Sequence, residues 1–161
     1  MTASWPNMSE PAVGPPITRT QIIERAWSWL RPPVRYSQKS FHENEYGIYR
    51  MDCSGYVSMA WALPGCPQDR NGGLDTIGLA AVSRVVDKPA LQAGDALIRT
   101  DGTSLTRHVA LFESWHEEGD DAYWGFEQAG GRGTVRRRID YPYDGGAAPY
   151  RAYRYAGVVE T

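Results

Sequence analysis

A chain of 161 residues, 42% hydrophobic and 22% charged, has the composition of an ordinary globular domain and can bury about two-thirds of the surface its unfolded form exposes. Seventeen basic and nineteen acidic side chains leave a net charge of −2, which argues against a nucleic-acid binder held by phosphate charge. No stretch approaches the ~18 apolar residues needed to cross a bilayer, so membrane insertion is not expected.

Residues 1–16 hold Pro6, Pro11, Pro15 and Pro16 among small polar side chains and are expected to form a flexible arm ahead of a single domain over 17–161. The arm lacks the basic and apolar regions of a secretory leader. That implies a cytoplasmic protein, or one delivered by a non-classical route as an effector or lysin. Thr18 and Gln21 have the spacing of a capping box, and Ile22, Ile23, Ala26, Trp27 and Leu30 form an apolar stripe. A helix is therefore predicted, stopped by Pro32-Pro33. Residues 34–51 read as extended or looped. A second helix is predicted from Cys53 to Leu63, with Tyr56, Val57, Ala60 and Trp61 at helical spacing and Pro64-Gly65 at its end. Asp75 is placed to cap a short helix reaching Val85, although Gly78 opposes it.

Strand-forming residues dominate from Asp95 onward, in 96–100, 107–115, 122–129, 134–139 and 150–159. Asp101-Gly102, Gly119-Asp120 and Gly130-Gly131 supply the turns between them. Connections this short favour an antiparallel meander, and helices followed by strands make an α+β order. The acidic run Glu113–Asp121 and the arginines of Arg132–Arg138 are expected to be solvated strand ends or loops.

Asp52-Cys53-Ser54-Gly55-Tyr56-Val57 lies where a loop enters a helix. The positive end of the helix dipole favours thiolate over thiol, and the first turn leaves backbone N–H groups unpaired. Two of these, that of Cys53 included, can stabilise an oxyanion. The alternative is that Cys53 is a small buried hydrophobe. His108 heads the strand His108-Val109-Ala110-Leu111-Phe112, where an imidazole is held rigidly enough to act as general base. Its alternative is an exposed strand-end histidine, as His42 and His116 are expected to be. A third group must orient the imidazole. In AYWGFEQA (122–129), alternation puts Trp124, Phe126 and Gln128 on one face and Tyr123 and Glu127 on the other. If the apolar face meets the Cys53 helix, Gln128 points at the site and accepts the Nδ1–H of His108, while Glu127 points away. Cys53 and Cys66 are too far apart along a helix for a disulfide, and no cysteine or histidine has the spacing of a zinc ligand. Cys66 is a bystander thiol on this reading, and neither metal nor cofactor is expected.

Together these residues resemble the NlpC-like cell-wall peptidases, compact papain-like cysteine enzymes. The resemblance covers most of residues 18–140. It rests on Tyr36 within Val34-Arg35-Tyr36-Ser37, the Asp52–Val57 box, Gly94-Asp95, the His108–Phe112 strand and a polar residue just before Ala129. It implies a papain-like α+β fold with Cys53 as nucleophile and His108 as base. Gln128 then takes the place of a third polar residue that is often histidine, with Glu127 as its rival. Tyr36 would bring its hydroxyl near the nucleophile, and Asp52 and Ser54 would support substrate or oxyanion. The implied substrate is a stem peptide of bacterial peptidoglycan, cut near a D-glutamyl residue by a monomeric enzyme. An amidase or acyltransferase acting on a non-wall substrate would use the same site. A non-catalytic binding module would have no need of the Cys53–His108 pair. Residues 66–93 and the Tyr/Arg-rich stretch 150–155 match no motif.

Overall fold

In the computed structural model, residues 14–65, 71–117, 119–146 and 148–160 are described. Most of the proposed arm, residues 1–13, and Cys66 lie outside them. The elements are β1 (Ile17–Thr18), α1 (Arg19–Ser28), β2 (Phe41–Asn44), β3 (Gly47–Arg50), α2 (Cys53–Ala60), α3 (Thr76–Ala81) and β4 (Ser83–Val85), then β5 (Ala96–Arg99), β6 (His108–Trp115), β7 (Ala122–Ala129), β8 (Gly133–Asp140), β9 (Arg151–Tyr155) and β10 (Val158–Val159). Helices precede a six-stranded antiparallel sheet of order β4-β9-β5-β6-β7-β8, so the fold is α+β as expected. Among the described residues no helix is long and apolar enough to cross a membrane.

The start of α1 has the predicted capping box. Thr18 Oγ1 accepts from Gln21 N at 3.1 Å, and Gln21 Oε1 accepts from Thr18 N at 2.9 Å. Every residue of α2 is buried, which is the behaviour of an apolar helix running through a core rather than over it. It packs between α1 and the sheet, and Tyr56 donates to Ala26 O at 2.7 Å to tie the two helices. It ends at Ala60, earlier than the predicted Leu63, because Ala62 turns into the left-handed region at φ 59°.

Two apolar layers sandwich the sheet. On the helix side Val109, Leu111 and Phe126 join Ile22, Tyr56, Val57 and Trp61. On the far side Leu97, Ala110, Phe112, Tyr123 and Ile139 are covered by irregular chain carrying Val86, Leu91, Tyr141 and Tyr143. Burying an aromatic or large aliphatic side chain contributes roughly 1.5–3 kcal/mol, so neither layer is dispensable.

Several expectations are corrected. The extended or looped segment 34–51 is resolved into the hairpin β2–β3, two four-residue strands in which only Tyr49 is buried, so they lack a strong apolar signal. Asp75 does cap α3, accepting from Gly78 N at 2.8 Å. The helix stops at Ala81, because Ser83–Val85 pairs with β9 instead of continuing. The final strand is two strands broken at Ala156-Gly157, and β10 pairs parallel with β1. The meander holds only for β5–β8; β9 returns to the other side of β5.

Asp95 locks this arrangement. Its buried carboxylate accepts from Arg19 Nη1 at 3.0 Å, from Arg154 at 2.9 and 3.1 Å, and from Gln92 N at 2.9 Å. One side chain thereby ties the start of α1, the turn before β5 and the strand β9.

Candidate active site

The Asp52–Val57 box is built by close packing. A Cβ on Gly55 would lie 2.0 Å from Arg50 O, so only glycine lets α2 start against the end of β3. Asp52 caps the helix, accepting from Gly55 N at 2.8 Å, and also takes Arg50 Nε at 2.7 Å. Arg50 reaches on to Ser54 Oγ at 3.0 Å and to the carbonyls of Asn71, Gly73 and Leu74. Asp52 and Ser54 therefore brace the helix start. Helix geometry leaves the N–H groups of Cys53 and Ser54 without an intrahelical partner.

Cys53, 7% exposed, sits between two cavities. One, of about 600 Å³, also takes in Tyr36, His108 and Tyr143. The other, of about 230 Å³, takes in Arg50, Asp52, Ser54 and Asp75. Gln38 separates them, its Nε2 donating to Tyr36 Oη and to Ser104 O, each at 3.0 Å. Burial raises the pKa of Tyr36, with the charges of Cys53 and Asp52 adding to it, so its phenol keeps its proton.

His108 lines the same cavity as Cys53, and its Nε2 hydrogen-bonds Glu127 Oε1 at 2.7 Å. Glu127 is fully buried yet abundantly partnered. Oε1 also accepts from Tyr143 Oη at 2.5 Å, Oε2 accepts from Arg137 Nε, and Arg132 lies at 3.7 Å. Burial alone would lower the imidazole's pKa, but its interactions with Cys53 and Glu127 outweigh that and push it up to about 9. Burial would likewise raise the carboxyl, but His108, Tyr143 and Arg137 hold it at about 2. At pH 7 imidazolium therefore faces carboxylate.

The structure thus replaces Gln128 by Glu127 as the group on His108, and Nε2 rather than Nδ1 makes the bond. The alternation along β7 is as expected; the face assumed for the site is not. His108 has the parity of Ala110 and Phe112, which lie on the side of the sheet away from α2, and Glu127 shares that side with Tyr123. His108 is the first residue of its strand, and its ring still lines the cavity shared with Cys53, the first residue of α2. Gln128 goes to the helix side, where Nε2 donates to Val34 O, Arg35 O and Thr134 Oγ1 at 3.1–3.2 Å. It anchors the segment that carries Tyr36. Gln128→Ala should therefore lower the unfolding free energy by about 1–3 kcal/mol, read as a fall in thermal midpoint. Turnover per folded molecule should change only a few-fold, and a variant with unchanged midpoint and lost turnover would contradict this.

The arginine run is also corrected. Along β8, Arg137 shares the Glu127 face and forms a bidentate pair with Asp144 at 2.8 and 3.0 Å. Arg136 turns to the other face, over Trp124 and beside Glu113. His42 packs on Trp29 and His116 on Trp124, both away from the cleft. Among the described residues no three His, Cys, Asp or Glu side chains converge as metal ligands. No protein-family profile matches this chain, and no curated protein does.

Proposed function

We propose that the chain is a papain-like cysteine hydrolase of the NlpC type that cuts an amide bond in peptidoglycan stem peptides. The observation that carries this reading is the line Cys53–His108–Glu127, laid at a helix N-terminus and open to a cleft. Cys53 Sγ, its proton held on His108, attacks the amide carbon. The resulting oxyanion lies at the start of α2, where each well-placed N–H donor is worth roughly 3–4 kcal/mol. His108 gives its proton to the leaving amine, the C–N bond breaks and a thioacyl-enzyme remains. Water then attacks, His108 accepts its proton, and the acid leaves with Cys53 restored. Glu127 keeps the imidazole oriented and its charge balanced throughout. Proton transfer through a group placed in this way contributes ~10²–10⁴-fold.

Digestion of purified peptidoglycan with mass analysis of the fragments tests the reading. Wild type should release peptides with a new carboxyl and amine terminus, and Cys53→Ala should lose at least about 10³-fold of that activity. Intact wall together with labelling of Cys53 by an electrophilic amide analogue would move the substrate to another amide. Turnover that survives in Cys53→Ala would end the proposal.

A further inference from the structure

We propose that Tyr143 is a positioning residue of this site: its hydroxyl fixes the Glu127 oxygen that orients His108, and its ring walls the imidazole. This rests on the hydrolase reading above but is testable without it. One carboxylate oxygen, Oε1, accepts from both His108 Nε2 at 2.7 Å and Tyr143 Oη at 2.5 Å. Those two donors set the direction in which Oε1 meets the imidazole. The Tyr143 ring stands edge-on to the His108 ring, centroids 4.9 Å apart and planes at 62°. Behind it Tyr150 stacks at 4.8 Å and 22°, so the phenol has no free swing.

The turn that delivers Tyr143 is itself clamped. Asp144 holds Arg137, Tyr123 Oη donates to Pro142 O at 2.8 Å, and Tyr141 N donates to Asp121 O at 2.8 Å. Arg137 closes the circuit, reaching both Glu127 and Asp144, with Nη2 at 3.3 Å from Tyr143 Oη. A residue that merely filled space would not need its hydroxyl aimed at the oxygen shared with His108. Burial beside Glu127 raises the phenol's pKa, so it remains a neutral donor across the working range. A neutral donor draws charge from Oε1 without competing for the imidazole proton.

Substitution at 143 should therefore move the titration of His108, which is followed by NMR of the imidazole ring and needs no substrate. The charged and titratable groups around it stay fixed in the comparison. Cys53 faces the imidazole from α2, Arg137 and Arg132 face Glu127, and Tyr36, Lys39 and Arg107 line the cavity. Tyr150 lies behind Tyr143, with Arg99 acting on it from β5. Tyr143→Phe keeps the ring and its stack but frees Oε1 of one donor, so His108 should titrate higher, by about 0.5 unit. On a cleaved substrate, kcat should fall about 10-fold with KM within about threefold. A 3-fluorotyrosine at 143, a stronger donor of nearly the same shape, should move His108 the opposite way. Opposite signs for the two replacements support the assignment. An unmoved His108 titration in both would overturn it and leave the hydrolase reading intact. An inert wall substrate with the two shifts present would support the assignment of Tyr143 and remove peptidoglycan as the substrate instead.

Discussion

Glu127→Gln is expected to lower turnover by about 10²-fold or more, the largest effect of any substitution outside Cys53 and His108. The glutamine keeps an oxygen near His108 Nε2 but loses the charge that balances an imidazolium and faces Arg137. Without that charge, burial works on the imidazole less opposed, and its pKa falls from about 9. The alkaline limb of the pH–rate profile should move down accordingly. Stability follows from the same pair. His108 has a folded pKa above its unfolded 6.5, so its contribution is complete below 6.5 and fades as pH rises through about 9. Glu127 has a folded pKa below its unfolded 4.5, so its contribution is complete above 4.5 and fades as pH falls through about 2. Wild type should therefore show its highest thermal midpoint near pH 4.5–6.5, and the alkaline decline should flatten in Glu127→Gln. A Glu127→Gln enzyme with wild-type kcat and an unmoved alkaline limb would remove Glu127 from the mechanism.

The largest loss of stability is expected for Asp95→Ala. Deleting this carboxylate leaves Arg19 and Arg154 facing each other without their shared anion, and Gln92 N without an acceptor. Removing one partner of a buried charge cluster costs about 3–5 kcal/mol. In a domain of this size that lowers the thermal midpoint by about 10 °C. Asp95→Asn, which can still accept hydrogen bonds but carries no charge, should fall in between. Electrophile labelling of Cys53 should persist in the folded Asn variant, because Asp95 supports the scaffold and touches neither cavity. Denaturation midpoints equal to wild type in Asp95→Ala would refute the clamp.

How far the sequence discloses this molecule depends on the kind of information each feature carries. The capping box of α1, the Asp75 cap and the Asp52–Val57 helix start are local, and local hydrogen-bond chemistry is written in consecutive residues. The Cys53–His108 juxtaposition was accessible because both residues sit at the starts of regular elements. Alternation along β7 separates Glu127 from Gln128 and keeps both as candidates to orient His108, but the choice between them depends on which side His108 takes. The apolar parity of His108 with Ala110 and Phe112 was available in the sequence, but nothing local says which face those residues cover. Arg137 and Tyr143 reach the site through pairing of β7 with β8 and a turn beyond it, which no short window contains. Likewise β4 and β10 are two or three residues long, and only their partners make them strands.

Cys53 and His108, the proposed nucleophile and base, belong to different layers: Cys53 to the helix that fills the core, His108 to the strand on which that helix lies. The gap between sulfur and imidazole is therefore gauged by the seating of α2 on β6 and β7, through contacts such as Val57, Leu111 and Phe126. Since a misplacement of ~1 Å can cost about 10²-fold in rate, the interior acts as a calibration spacer for the chemistry. If the proposed hydrolase reading holds, substitutions deep in that interface, remote from either cavity, would lower turnover before they unfold the domain. On the proposed mechanism, then, the apolar core sets a distance as well as a stability.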